Sequence, residues 1–226
     1  MGIFSELKFG TDGWRSRIDV DFNDKNVMRV AAGILRYLDQ SCPDRRGVFI
    51  GYDGRSSSRH FAECCAAVLA SGGTECFLPP RPVPTPISAY AAVKHSLKGS
   101  IMITASHNPP EYNGIKFIPH YGGPATPDIT GAIERLIPSR ADLCPMPNLG
   151  PVHPLISELD PLPSYMAHLE RLIDIRGSSL NVFVDPMHGA TAGIFDKILV
   201  CFGVRTSVVR GNVDPLFCGG MPDPTP

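Results

Sequence analysis

Nowhere in this sequence do about 18 apolar residues run uninterrupted, which removes a membrane-spanning helix from the readings. Charge of one sign is lacking as well. The formal net charge is -1 and no run of Lys or Arg forms a basic patch, so neither nucleic acid nor membrane is expected as a partner. The N-terminus has no basic start leading into a long apolar run, and Glu6 stands where a myristoylation signal needs Ser or Thr, so the expected location is cytoplasmic. Cysteine pairs are missing too. The seven cysteines, at 42, 64, 65, 76, 144, 201 and 218, are odd in number, form no CxxC and mostly fall in apolar periodic segments. They read as small buried hydrophobes rather than a disulfide or metal framework.

With 43% hydrophobic and 19% charged residues over 226 positions, there is enough apolar material for a core. Val27, Val30, Ala31, Ile34, Leu35 and Leu38 recur at helical spacing between Asn23 and Gln40. The apolar run 47–51 predicts a strand, and Phe61, Cys64, Cys65, Val68 and Leu69 a second helix that Gly72 and Gly73 end. Further strands are expected at 74–78, 100–104 and 115–118. Thr85-Pro86 and Thr126-Pro127 read as starts of helices. Strands alternating with helices imply right-handed crossovers, hence an α/β fold with a mixed, mainly parallel sheet and helices on both faces.

This first unit spans 1–140. The proline-dense stretch 141–163 carries little periodicity and reads as a linker. A second α/β unit, 164–226, is expected to hold a helix (164 to about 175), a strand (180–185), a helix (about 190–202) and a strand (204–209). Two strands cannot bury their own apolar face, so this unit is expected to be incomplete.

The most informative stretch is Ile103-Thr104-Ala105-Ser106-His107-Asn108-Pro109-Pro110-Glu111-Tyr112-Asn113-Gly114-Ile115-Lys116-Phe117. A strand delivers Ser106 at its carboxyl end, where open α/β sheets place their ligand crevice. His107 and Asn108 offer polar groups beside the hydroxyl, the prolines stiffen the loop, and Asn113-Gly114 is expected to turn the chain so that Lys116 approaches. A hydroxyl near a His and a Lys suits an oxygen that carries phosphate, because the added negative charge demands cations. The plainer alternative is a polar loop that satisfies its own backbone.

This stretch resembles the phosphoserine loop of the α-D-phosphohexomutases, the family of phosphoglucomutase, phosphomannomutase and phosphoglucosamine mutase, whose signature reads T-A-S-H-N-P followed by N-G-x-K. Four further stretches resemble the same family in the same order: 9–15 (FGTDGWR), 51–57 (GYDGRSS), 184–190 (VDPMHGA) and the 219–226 tail (GGMPDPTP). The resemblance implies interconversion of hexose 1-phosphate and hexose 6-phosphate through a phosphoserine and a bisphosphate intermediate. It makes Ser106 the phosphoryl carrier and, through its phosphate, one Mg2+ ligand. His107 becomes a proton-transfer or positioning group and Lys116 a group that steadies phosphoryl oxygens or assists proton transfer. Thr11 and Arg15 line the crevice, with Arg15 suited to a charge-assisted contact with phosphate. Arg55 stays outside this catalytic set, as a residue that could hold its own loop by a local ion pair. Mg2+ is the implied cofactor, hexose 1,6-bisphosphate the activator and a hexose phosphate the small-molecule partner, glucose phosphate by default.

The family's D-x-D-x-D magnesium loop, G-E-x-S-G sugar loop and R-x-S-G-T phosphate loop are not found in these residues. The sequence is therefore read as the N-terminal part of a mutase, inactive as an isolated chain, with a missing C-terminal portion as its expected partner. Phosphoryl transfer rests on positioning and charge stabilisation, which those loops would supply. The alternative is a non-catalytic sugar-phosphate-binding or interaction module left from a truncated mutase. A serine hydrolase fits less well, since Ser106 lacks the G-x-S-x-G elbow. Tyr112 to Lys116 also mimics a Y-x-x-x-K dehydrogenase motif, which belongs on a helix.

Overall fold

A computed structural model describes residues 7–10, 13–139 and 153–224. Its elements run β1 (Gly13–Arg17), α1 (Asp24–Ser41), β2 (Arg46–Tyr52), α2 (Ser58–Ser71), β3 (Cys76–Leu78), α3 (Thr85–Lys94), β4 (Leu97–Ile103), β5 (Tyr112–Pro119), α4 (Pro127–Leu136), β6 (Ile156–Glu158), α5 (Leu162–Leu172), β7 (Asn181–Val184), α6 (Phe195–Cys201) and β8 (Arg205–Val208), then a 3-10 turn (Phe217–Gly219). A six-stranded sheet has the order β1-β5-β4-β2-β3-β6, and β7 and β8 form a separate parallel pair. The pairings β2–β4, β2–β3 and β3–β6 are parallel, while β5 runs antiparallel to both β4 and β1. The α/β class with a mainly parallel sheet is the one expected.

Alternation along the strands divides the core. From β2, Val48 and Ile50 face α1 and α2 in a cluster with Val30, Ile34, Phe61, Leu69 and Ile133 of α4. Phe49 points to the other face, where it joins Ile87 and Ala91 of α3. Helix α1 starts where Asn23 turns its side chain back to accept the Asn26 N–H at 3.2 Å, and its apolar stripe is buried from Val27 to Leu38. The Thr85-Pro86 helix signal is displaced by one residue. Thr85 is already helical, Pro84 takes the cap position, and Pro86 falls in the first turn where its missing N–H costs nothing.

Two sequence expectations are corrected, and one strand was not foreseen. The first concerns Asn113-Gly114, which is no turn but lies inside β5. The reversal occurs earlier, where the Tyr112 N–H donates to the Pro109 carbonyl at 3.0 Å. Gly114 is needed because a Cβ there would stand 2.6 Å from the Thr104 carbonyl oxygen and 2.9 Å from that of Trp14, so three strands close around it. The second concerns the expected linker. Residues 140–152 fall outside the described residues, but Ile156–Glu158 is a strand paired to β3, and α5 begins at Leu162, inside the interval assigned to linker. A three-residue edge strand is too short to show periodicity, and pairing rather than pattern defines it. The unforeseen strand is β1, whose residues were read only as part of the 9–15 segment that lines the crevice. It is an edge strand whose Trp14 stacks on Phe22 at 4.8 Å between ring centroids.

The second unit leans on the first. Tyr90 of α3 donates its hydroxyl to the Ser164 carbonyl at 2.8 Å and meets the Tyr165 ring at 5.2 Å. Ile194, Ile198, Leu199 and Phe202 join the same core cluster as Phe49 and Ile87.

Candidate active site

The carboxyl ends of β2 and β4 lie side by side, because Tyr52 pairs with Ile103 in parallel register. The two loops that follow, Asp53–Ser57 and Thr104–Glu111, therefore share one edge of the sheet. Ser106 sits at the tip of the second loop, exposed, with φ of +57°. That left-handed conformation is costly for a residue other than Gly, so the surroundings must impose it.

They do so on both sides of the residue. The Ser106 N–H donates to Thr104 Oγ1 at 3.0 Å, and the Ser106 carbonyl accepts from Arg55 Nη2 at 3.0 Å. Arg55 is the organising group. Its guanidinium, with no exposed side-chain surface, gives Nε to Asp53 Oδ2 at 3.1 Å and its Nη atoms to the carbonyls of Ser106, Asn108, Pro109 and Tyr112 at 2.6–3.0 Å. All five N–H groups are used, which is the condition for burying such a cation. Burial pulls the Arg55 ionisation below its ordinary value, and Asp53 opposes that shift. Asp53 in turn accepts from Thr104 Oγ1 at 2.7 Å and Ser58 Oγ at 2.6 Å, and Asn113 donates to Ser58 Oγ at 2.9 Å. The backbone of the serine loop is thus fixed from beneath while its hydroxyl stays open.

Ser106 and His107 line a cleft of about 670 Å3, with Ser106 Oγ and His107 Nδ1 3.4 Å apart. Across it stand Asp185–Met187 and Gly189–Thr191, following β7, and Pro222–Pro224. The turn at Met187 and His188 has positive φ at both residues; His188 Nδ1 and the Asn212 carbonyl oxygen are 3.0 Å apart. Two contacts seat this unit on the Arg55 loop: Phe217 places its ring 5.2 Å from the guanidinium, and Gly54 leaves room for Val213, whose methyl would lie 2.5 Å from a Cβ.

The other expected site residues are distributed as follows. Arg15, exposed on β1, points Nη1 at Asn108 Oδ1 of the serine loop at 3.4 Å. Lys116 is half-buried on β5. Its register partner is Met102, which lines the cleft, so both side chains leave the same face of the sheet, although Lys116 itself is not a lining residue. Thr11 lies outside the described residues. Sequence reasoning missed the reach of Arg55, which was credited with Asp53 alone. The available signal was position: Asp53-Gly54-Arg55 follows a buried strand and opens on the ligand edge of the sheet.

For magnesium, the carboxylates lining the cleft are Asp53, Asp185 and Asp223. Asp53 holds Arg55 and Asp185 holds Arg210, whose hydrogen bonds keep the Asp185 carboxyl below its usual range. Among the described residues no group of three donors surrounds Ser106. They do not by themselves build a magnesium site.

An exposed serine in a strained turn, clamped at the carboxyl edge of a mainly parallel sheet, defines an α/β protein that presents a hydroxyl to a cleft. Residues 6–142 match the family described as phosphoglucomutase/phosphomannomutase, alpha/beta/alpha domain I. The chain belongs to that family. It is 29% identical to a phosphoglucomutase of Komagataeibacter xylinus over 93% of this chain and 41% of the relative. It is 31% identical to a probable phosphomannomutase of Haemophilus influenzae over 84% of this chain and 40% of that protein. A solved structure of a putative phosphomannomutase from Thermus thermophilus superimposes with a TM-score of 0.87 at 31% identity, covering 98% of this chain and 49% of that one. The chain thus spans less than half the length of these relatives.

Proposed function

We propose that this chain supplies the phosphoryl-carrying part of a phosphohexomutase, with Ser106 Oγ taking and returning the phosphoryl group that moves between the 1- and 6-oxygens of a hexose phosphate. The clamped backbone and open hydroxyl of Ser106 are the observation that carries this reading. In the charging step Oγ attacks phosphorus of a hexose 1,6-bisphosphate, the bond from phosphorus to the sugar oxygen breaks, the Oγ proton passes to a base, and the sugar oxygen gains a proton. His107 Nδ1, 3.4 Å from Oγ, is the adjacent candidate for the proton. Arg15 and Lys116 contribute positive charge on the loop and face where phosphoryl oxygens would lie. Magnesium, when bound, would neutralise charge on the phosphoryl oxygens, and Ser106 would offer it one oxygen once phosphorylated. A fixed backbone matters here because phosphoryl transfer depends on alignment more than on side-chain covalency.

The competing reading, a sugar-phosphate-binding or interaction module without turnover, draws on the lack, among the described residues, of a three-donor group at the cleft. One experiment separates them. The chain, reconstituted with a C-terminal phosphohexomutase portion that carries the metal, sugar and phosphate loops, is incubated with glucose 1,6-bisphosphate and Mg2+ and its phosphopeptides are mapped; phosphate on Ser106, absent in Ser106→Ala, supports the carrier. Bisphosphate that binds without labelling Ser106 supports the module and removes the proposal.

A further inference from the structure

On the face of the sheet away from the cleft, α1 and α2 bring together three side chains that the Ser106 chemistry does not use. His60 and Cys64 are four residues apart on α2 and so rise from one face of it; Asp24, in the first turn of α1, comes from 36 positions earlier in the chain. His60 Nε2 lies 2.8 Å from Asp24 Oδ1 and 3.6 Å from Cys64 Sγ, and all three donor atoms are within 4.8 Å of one another. Asp24 and His60 are half open to solvent, whereas Cys64 is fully buried beneath them.

The two contacts to His60 Nε2 are in conflict. A ring nitrogen has one in-plane position: protonated, it donates to Asp24 and offers nothing to the thiol; bare, it can accept from the thiol but turns its lone pair toward the carboxylate. A cation among the three atoms satisfies imidazole, carboxylate and sulfur together. We infer that Asp24, His60 and Cys64 form a binding site for a divalent cation of the zinc class, joining α1 to α2. The donor set selects the metal class, since a thiolate with an imidazole suits zinc rather than magnesium or calcium, and three protein ligands leave a fourth position for water at the open side. Burial, with Asp24 and Glu63 adding to it, pushes the Cys64 thiol up to about 12. The metal therefore displaces that proton on binding, as coordinated thiols require.

The probes are Zn2+ and Co2+ alone, added to the whole chain in a background where Cys42, Cys144, Cys201 and Cys218 are serine. One equivalent of Zn2+ should bind and raise the melting temperature, and Co2+ should give a thiolate-to-cobalt charge-transfer band in the near ultraviolet. His60→Ala and Asp24→Ala, both at solvent-facing positions, should keep the circular dichroism of the parent and weaken binding, His60→Ala by about 100-fold or more. Cys64→Ala should remove the band. No stoichiometric binding, a band that survives Cys64→Ala, or affinity unchanged in folded His60→Ala would overturn the site. Because Ser106 takes no part, failure here leaves the phosphoryl-carrier reading standing, and the reverse also holds.

Discussion

Loops that follow the strands of two sheets meet across the cleft, and the two sheets differ sharply in what they bury. In the six-stranded sheet Val48, Ile50, Ile101 and Ile103 have no exposed surface, with helices closing both faces. In the two-stranded pair Phe183 is 72% exposed, with Val208 also open. A strained serine loop can be held in place only by a scaffold that does not yield, and it is the well-buried sheet that carries it. The wall opposite, built on two strands, has little of its own to hold it rigid.

The largest break in this comparison should come from Arg55→Ala. It leaves Asp53 and four carbonyls without their partner, and the expected loss is about 3–5 kcal/mol, read by urea denaturation. Removing core volume should show the contrast next. Ile101→Ala is expected to cost about 2–5 kcal/mol and Phe183→Ala to stay within about 0.5 kcal/mol; equal losses would erase the distinction between the sheets. Gly114→Ala should cost about 1–3 kcal/mol, since its methyl meets two carbonyl oxygens in the three-strand contact; a neutral result would show that β1 and β5 shift freely.

The smallest effect belongs to the exposed Asp185–Arg210 pair on the weaker wall. The folded carboxyl titrates below its ordinary value, so its contribution is present above about pH 4 and is lost as pH falls through the depressed folded value. Asp185→Asn should therefore lower the melting temperature slightly at pH 7 and not at all at low pH. A gap that persists in acid would detach the effect from ionisation.

Much of the stronger sheet was legible in the sequence because its signals are local. The stripe from Val27 to Leu38, the 47–51 run and the Gly72-Gly73 stop each report their own segment, and T-A-S-H-N-P marks the serine at the end of β4. What escaped depends on partners distant in sequence. β6 exists because β3 offers an edge, Asn113-Gly114 is strand because Thr104 and Trp14 close in on it, and Arg55 matters because β2 and β4 end together. None of these appears in the spacing of nearby residues. The same reason hides the Asp24, His60 and Cys64 cluster, whose parts come from two helices.

The central claim is that a buried arginine in the rigid half makes Ser106 a phosphoryl acceptor by holding its backbone. It is tested most directly by the phosphorylation rate at residue 106 in folded Arg55→Lys beside the parent chain, each reconstituted with the same C-terminal phosphohexomutase portion, with hexose bisphosphate and Mg2+ supplied. Lysine keeps the charge but cannot bridge Asp53 and four carbonyls, so labelling should slow by about 100-fold or more. Labelling at the parent's rate, with circular dichroism unchanged, would contradict the account.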